Sequence, residues 1–231
     1  MSSRTREPVI RRATNKDISL IRDMAVRTWR DTYSGVIPEE SQDSILNVAY
    51  SMSSLLRSIR MDAFLIAEVD GEPGGFADLG MRADGTLVLH RLYVLPQAQR
   101  MGMGAALLTA AITRMLGPAF KIVPPVYETM AGRRLQAGEA LESAATGHQS
   151  AAFVIPVHIP GYQYPLIATV EKDNPKGRAF YRKMGFAEGK EETVDLAGVP
   201  LPLVNIIASV RKMEDEKPPI PFSPPRARPS V

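Results

Sequence analysis

The chain contains no cysteine. Disulfides, thiolate nucleophiles and cysteine-held metals are excluded at once, and a zinc site would need histidines and carboxylates alone. Histidine is nearly as scarce: His90, His148 and His158 are scattered, so no metal is expected. Long apolar runs are missing too, with no window approaching the roughly 18 apolar residues of a membrane span. The start "MSSRTREPVIRRAT" has charge but lacks the apolar centre of a secretory signal. A cytoplasmic protein without a membrane partner is the expectation. The net charge of +3 and the pI near 9.2 owe much to the two termini, which argues against nucleic acid as a partner. What is present, 231 residues that are 45% hydrophobic, suffices for one substantial core.

"VIRRAT" alternates like a half-buried strand, and Thr14 and Asp17 have the spacing of a capping box ahead of a helix carrying Ile18, Ile21, Ala25 and Thr28 on one face. "ESQDSILNVAYSMSSLLRSIR" reads as one amphipathic helix through Ile45, Val48, Met52, Leu55 and Ile59. Three strands follow at 63–69, 75–81 and 86–95, joined at "DGEPGG" and "ADG" by turn residues. "AALLTAAITRML" is a helix stopped by Gly117 and Pro118, "YPLIATVEKD" a strand, and "NPKGRAFYRKMG" a helix opened by Asn174. "TVDLAGVPLPLVNIIASVRK" reads as a final hairpin. An arm (1–7) precedes the domain (8–214), and a Pro-rich disordered tail (215–231) follows it. Residues 117–162 form an insertion with a helix expected in "MAGRRLQAGEALESAA". Its apolar run "AAFVIPVHIPGYQYP" is expected to wall the acceptor site or to make a homodimer contact.

The informative stretch is "LYVLPQAQRMGMGAALL", residues 92–108, a strand that becomes a glycine loop and then a helix. Free N–H groups and the positive dipole end make such a helix start an anion site, and glycine lets phosphate oxygens reach the backbone. A bulky residue at Gly102 or Gly104 is expected to block that approach without touching the core. The stretch lacks the third glycine of a dinucleotide fingerprint and the Gly-Lys-Ser/Thr of a Walker loop. Taken alone, a GxG before a helix is also an ordinary turn.

"LHRLYVLPQAQRMGMGAALL" followed by "VEKDNPKGRAFYRKMGF" resembles the signature pair of the GNAT superfamily of acyl-CoA N-acyltransferases. The matching residues are Gln99, Gly102 and Gly104, then Asn174, Phe180, Tyr181, Gly185 and Phe186. The wording is most similar to polyamine and small-amine acetyltransferases. The resemblance covers about residues 8–116 and 163–213. It implies an α/β (α+β) GNAT fold: a mixed, mostly antiparallel sheet, helices on both faces, and a splayed parallel strand pair that binds acyl-CoA. The strands carrying Leu89–Leu95 and Leu166–Val170 would be that pair, opening near Val94.

The resemblance further implies acetyl-CoA as cosubstrate and direct transfer to a primary amine of a small molecule or polyamine. Leu92 and Val94 would offer backbone groups to the pantetheine, as a strand edge does. Gln99, Arg100, Met101, Gly102, Met103, Gly104 and Ala105 would cradle the pyrophosphate, and Asn174 would reach the pantetheine. Tyr181, seven residues after Asn174 and on the same helical face, would be the acid that protonates the leaving thiolate. Packing in the core remains the other use for this ring. Two positions where the family often carries a carboxylate base hold Val88 and Thr169. His90 shares strand parity with Val88, Leu92 and Val94 if no bulge intervenes, and imidazole ordinarily titrates near neutrality. Asp78, Glu68 and Glu171 are weaker candidates for the base, and "PEESQD" is a hint of an acidic acceptor channel. A protein or peptide N-acetyltransferase, or a catalytically weak acyl-CoA-binding regulatory module, are the alternatives.

Overall fold

The computed structural model describes residues 7–128, 134–136, 155–156, 158–161 and 163–213. The arm through residue 6, the tail from 214 on and most of the expected helix at 130–145 lie outside them.

The chain enters as strand β1 (Val9–Arg12), then a 3-10 turn (Asn15–Asp17), then helix α1 (Ile18–Tyr33). The capping box read from the sequence is formed: the Thr14 N–H and hydroxyl donate to Asp17 Oδ2 at 2.7 and 2.8 Å. Arg11 adds a two-pronged contact to the same carboxylate at 2.8 and 3.0 Å and reaches Glu68 at 2.7 Å, pinning α1 to the sheet edge. These donors, Arg11 first, hold the Asp17 carboxyl down at about 2.

The single helix expected across 40–60 is two, α2 (Glu39–Ala49) and α3 (Met52–Met61). The break has a local cause. Tyr50 leaves helical geometry (φ −112°, ψ 27°) and packs edge-on against Phe76 and Tyr93, while the Ser51 hydroxyl accepts from the Ser54 N–H to cap α3. Hydrophobic spacing continues through the break, so periodicity alone does not reveal it.

Strands β2 (Ala63–Val69), β3 (Glu72–Met81) and β4 (Leu87–Val94) form the expected meander. Helix α4 (Met103–Leu116) crosses over to β9 (Gln163–Glu171), helix α5 (Pro175–Lys183) follows, and β10 (Ala187–Leu196) with β11 (Val199–Lys212) closes the chain. The sheet order is β1-β2-β3-β4-β9-β11-β10, antiparallel throughout except between β4 and β9. Ala197 and Gly198, at φ 57° and 79°, make the two-residue turn of the last hairpin. One face stacks Phe64 on Phe76 and Phe76 on Tyr93 beneath α1–α3; α4 covers the other, with Leu107, Leu108 and Ala111 buried. Among the described residues no helix is long and apolar enough to cross a membrane.

The insertion begins inside the main sheet. Strand β5 (Phe120–Val123) pairs antiparallel with β11, Val123 opposite Ser209. A small second sheet joins β6 (Val126–Glu128), β7 (Arg134–Gln136) and β8 (Ile155–Pro156) in the order β7-β6-β8. Arg134–Gln136 is therefore strand where a helix was expected, because it finds a pairing partner in β6. At the far end His158 packs onto Gly85 in the β3–β4 turn and beside the ring of Tyr164.

Replacing Asp17 by Asn removes the charge that Arg11 and Thr14 hold, and is expected to cost about 2 kcal/mol in urea unfolding at neutral pH. The depressed acidity means this contribution is complete above about pH 4 and fades as pH falls toward about 2, so wild type and D17N converge in acid.

Candidate active site

The parallel pairing of β4 and β9 lasts three residues: Leu87 with Leu166, Val88 with Ile167, Leu89 with Ala168. Beyond Leu89 the strands part, well before Val94 where the opening was expected. A β-bulge is the cause. Against β3, Leu89 faces Leu79 and Arg91 faces Asp78, which leaves His90 as the extra residue. A bulge bends and twists its strand, carrying the rest of β4 away from β9. The gap opens into a cleft of about 1430 Å³, lined by His90, Leu92, Val94, Gln99, Arg100, Gly102, Met103, Gly104, Ala105, Asn174 and Tyr181. All but one of the site residues read from the sequence are thus brought together; Met101 is exposed and does not line the cleft.

The bulge also breaks the parity expected for His90. Arg91 and Tyr93 face α2 and α3 with His90, whereas Val94 lies against the first turn of α4, its Cγ2 beside Gly104. Leu92 shares the α4 side with Val94 by strand alternation.

The glycine loop has the backbone an anion site needs. Arg100 and Gly102 both sit in the left-handed region, at φ 63° and 77°, and Gly102 is the N-cap of α4. A Cβ at Gly102 would meet nothing within 4 Å, so the space above this helix start is open. The Gln99 amide donates to the Val94 carbonyl at 3.2 Å and ties the loop to the end of β4. The Met103 side chain is buried against Gly74, so only its backbone faces the cleft. Gly104 departs from expectation: a Cβ there would stand 3.2 Å from the Phe180 ring, so a bulky residue would displace core as well as ligand.

Asn174 caps α5, its Oδ1 accepting from the Gly177 N–H at 2.8 Å. One face further along, Tyr181 is 8% exposed and packs edge-on against Phe180 and Phe186. The ring is packed in the core and also lines the cleft. Burial, and then the neighbouring Tyr93, raise the Tyr181 hydroxyl well above the ordinary phenol value, which keeps it protonated. Tyr33 reaches the same place from α1; burial raises it too, with Tyr93, Glu171 and Tyr181 adding to the shift.

Among the carboxylate candidates, Glu68 is taken by Arg11 at the sheet edge, and Asp78, fully buried, pairs with Arg91. Arg91 also donates to the Ala49 carbonyl at 2.7 Å and to the Ser54 and Ser58 hydroxyls at 3.1 Å each, and lies over the Tyr50 ring at 5.1 Å. His90 is exposed beside Asp62; the His90 Nε2 and Asp62 Oδ1 stand 3.0 and 2.9 Å from where a Cβ of Gly80 would be. The "PEESQD" carboxylates do not line the cleft, and Asp43 is paired with Arg30; the acids that do line it are Asp31 and Glu171. Sequence reading missed Arg91, Asp62 and Tyr33. The one signal for Arg91 was an opposite charge across the hairpin, at a register the bulge conceals.

Arg91→Met leaves Asp78 buried and unpaired and is expected to cost about 3–5 kcal/mol by urea unfolding, with Asp78→Asn in the same chain recovering part of the loss.

Comparison with known proteins agrees with this geometry. The family model described as the acetyltransferase (GNAT) family matches residues 23–124. The spermidine N(1)-acetyltransferase of Thermoplasma acidophilum is 32% identical over 108 residues, which is 44% of this chain and 66% of that protein, just under two thirds of its length. In fold, the chain is similar to the PaiA N-acetyltransferase of Thermoplasma acidophilum crystallised with coenzyme A (TM-score 0.53, 22% identity, 86% of this chain and 98% of that one). It is also similar to a GCN5-related N-acetyltransferase of Rhodopseudomonas palustris (TM-score 0.53, 18% identity, 89% and 95% covered). With a parallel pair split at a bulge, a left-handed glycine loop at its mouth and the Asn-opened helix beside it, the chain is similar over residues 23–124 to the GNAT acetyltransferase family.

Proposed function

We propose that the protein transfers an acetyl group from acetyl-CoA to a primary amine of a small molecule, directly and without a covalent enzyme intermediate. The observation that carries this reading is the opening between β4 and β9 beyond Leu89 and Ala168, with a bare helix start at its mouth and a protonated phenol on its wall. The residues fit the cosubstrate: Gly102 leaves open the space a phosphate would need, and the unpaired stretch of β4 past the bulge suits a pantetheine arm. The spermidine acetyltransferase named above supports a polyamine as acceptor.

Acetyl-CoA supplies an activated thioester. His90, in the bulge, takes the first proton from the acceptor ammonium, freeing the nitrogen lone pair to attack the carbonyl carbon. Backbone N–H groups of β4 beyond the bulge face the developing oxyanion. As the C–S bond breaks, Tyr181 gives its phenolic proton to sulfur and recovers one from the newly bonded nitrogen. One amide, one free thiol and one proton result.

Tyr181→Phe is expected to lower kcat in a free-thiol release assay by about 10²- to 10³-fold while leaving the Kd for acetyl-CoA nearly unchanged; equal rates would remove Tyr181 from the chemistry. Gly102→Val is expected to abolish acetyl-CoA binding in calorimetry, at a stability cost of about 1–2 kcal/mol from a non-glycine residue in the left-handed region. Unchanged affinity would take the loop out of the binding site.

A further inference from the structure

Glu171 stands at the end of β9 and takes no part in the transfer described above. It is 4% exposed, yet it lines the cleft, and its Oε2 has no hydrogen-bond partner. A buried carboxylate without a counter-charge is expensive to keep, and burial raises its acidity constant above the usual glutamate range, with Asp173 acting in both directions. Among the described residues no Lys or Arg pairs with it; Lys176 turns instead toward Asp31, and Lys172 to Glu191.

Around it the walls are phenolic and apolar. By alternation Glu171 shares the sheet face of Thr169, the side toward α1, and the Tyr33 hydroxyl is close enough for its own acidity to feel the charge. Leu203 lies opposite on β11 and lines the same cleft. A site of one unpaired carboxylate beside the Tyr33 phenol is matched to an organic ammonium, which offers N–H donors to the oxygen and a cation to the aromatic ring.

We propose that Glu171 binds the second, non-reacting ammonium of a diamine or polyamine acceptor and so sets the enzyme's preference for such amines. The inference rests on the acetyl-transfer reading and adds the residue that selects the substrate. Its position supplies the spacing: Glu171 is three residues past Ala168, the last paired residue, or about 10 Å along the strand. The reacting nitrogen sits by the bulge and the second nitrogen at Glu171, a separation suited to an extended α,ω-diamine.

The test compares 1,5-diaminopentane with hexylamine, which replaces one ammonium by a methyl group, in thiol-release assays with acetyl-CoA. Glu171→Gln should raise KM for the diamine about ten- to a hundredfold while kcat, and both constants for hexylamine, stay within about twofold. Glu171→Asp, which keeps the charge on a shorter arm, should restore part of the diamine affinity. Equal losses for both amines, or no loss for either, would overturn the proposal. Calorimetry of 1,5-diaminopentane binding to wild type and E171Q, each loaded with coenzyme A, reads the same difference without turnover. A wild type that binds the diamine through Glu171 yet acetylates neither amine would sink the transfer reading alone, and absent or Glu171-independent binding would sink this one. The melting temperature of E171Q should equal or exceed that of wild type, which excludes a folding defect as the cause.

Discussion

The ion pair between Asp78 and Arg91 is the constraint on which the site depends. It lies at the bulge, with the carboxylate fully buried, and the guanidinium spreads its remaining donors over the end of α2 and the first turns of α3. An arginine is suited to this task because its planar fork satisfies several fixed acceptors at once. The pair therefore does two things together. It fixes the register at which β4 departs from β9, and it fixes the helical pair that roofs one side of the cleft. A hydrophobic replacement of both residues would not carry the second function, since the acceptors on α2 and α3 would lose their donor.

Around that constraint the site is assembled from elements that each have an independent reason to exist. The glycine loop is shaped by the left-handed geometry at Arg100 and Gly102 and anchored by Gln99 to the Val94 carbonyl. Helix α5 is started by Asn174 and stopped where Gly185 takes φ 88°. Tyr181 is presented to the cleft by this helix and held in place by the neighbouring rings of Phe180 and Phe186. Precision at the cleft comes from packing on a rigid sheet, so little is left to loop conformation.

Most of this frame was legible in the residues. Alternation, capping pairs and glycine stops marked the strands and helices to within a few positions, and the two motifs placed Gln99, the glycines, Asn174 and Tyr181 around one opening. What was not legible depends on tertiary partners. The kink at Tyr50 exists because its ring is drawn under the sheet, and the strand at Arg134–Gln136 exists because β6 is beside it. The bulge at His90 is the costliest omission, since one extra residue reverses which side chains beyond it share a face. Glu171 looked minor in the sequence because its burial with one oxygen unpartnered is a property of its surroundings.

The sheet is open, and its two free borders differ from its interior. One is β1, four residues long and bearing Arg11 and Arg12; the other is β10, largely exposed, studded with Glu188, Lys190, Glu191 and Glu192 and irregular in register between Glu188 and Glu191. Short length, like-charged neighbours and a broken ladder are the means by which proteins keep sheet edges from recruiting strands of other molecules. These two borders of the main sheet are thereby guarded against edge-to-edge pairing with strands of other molecules.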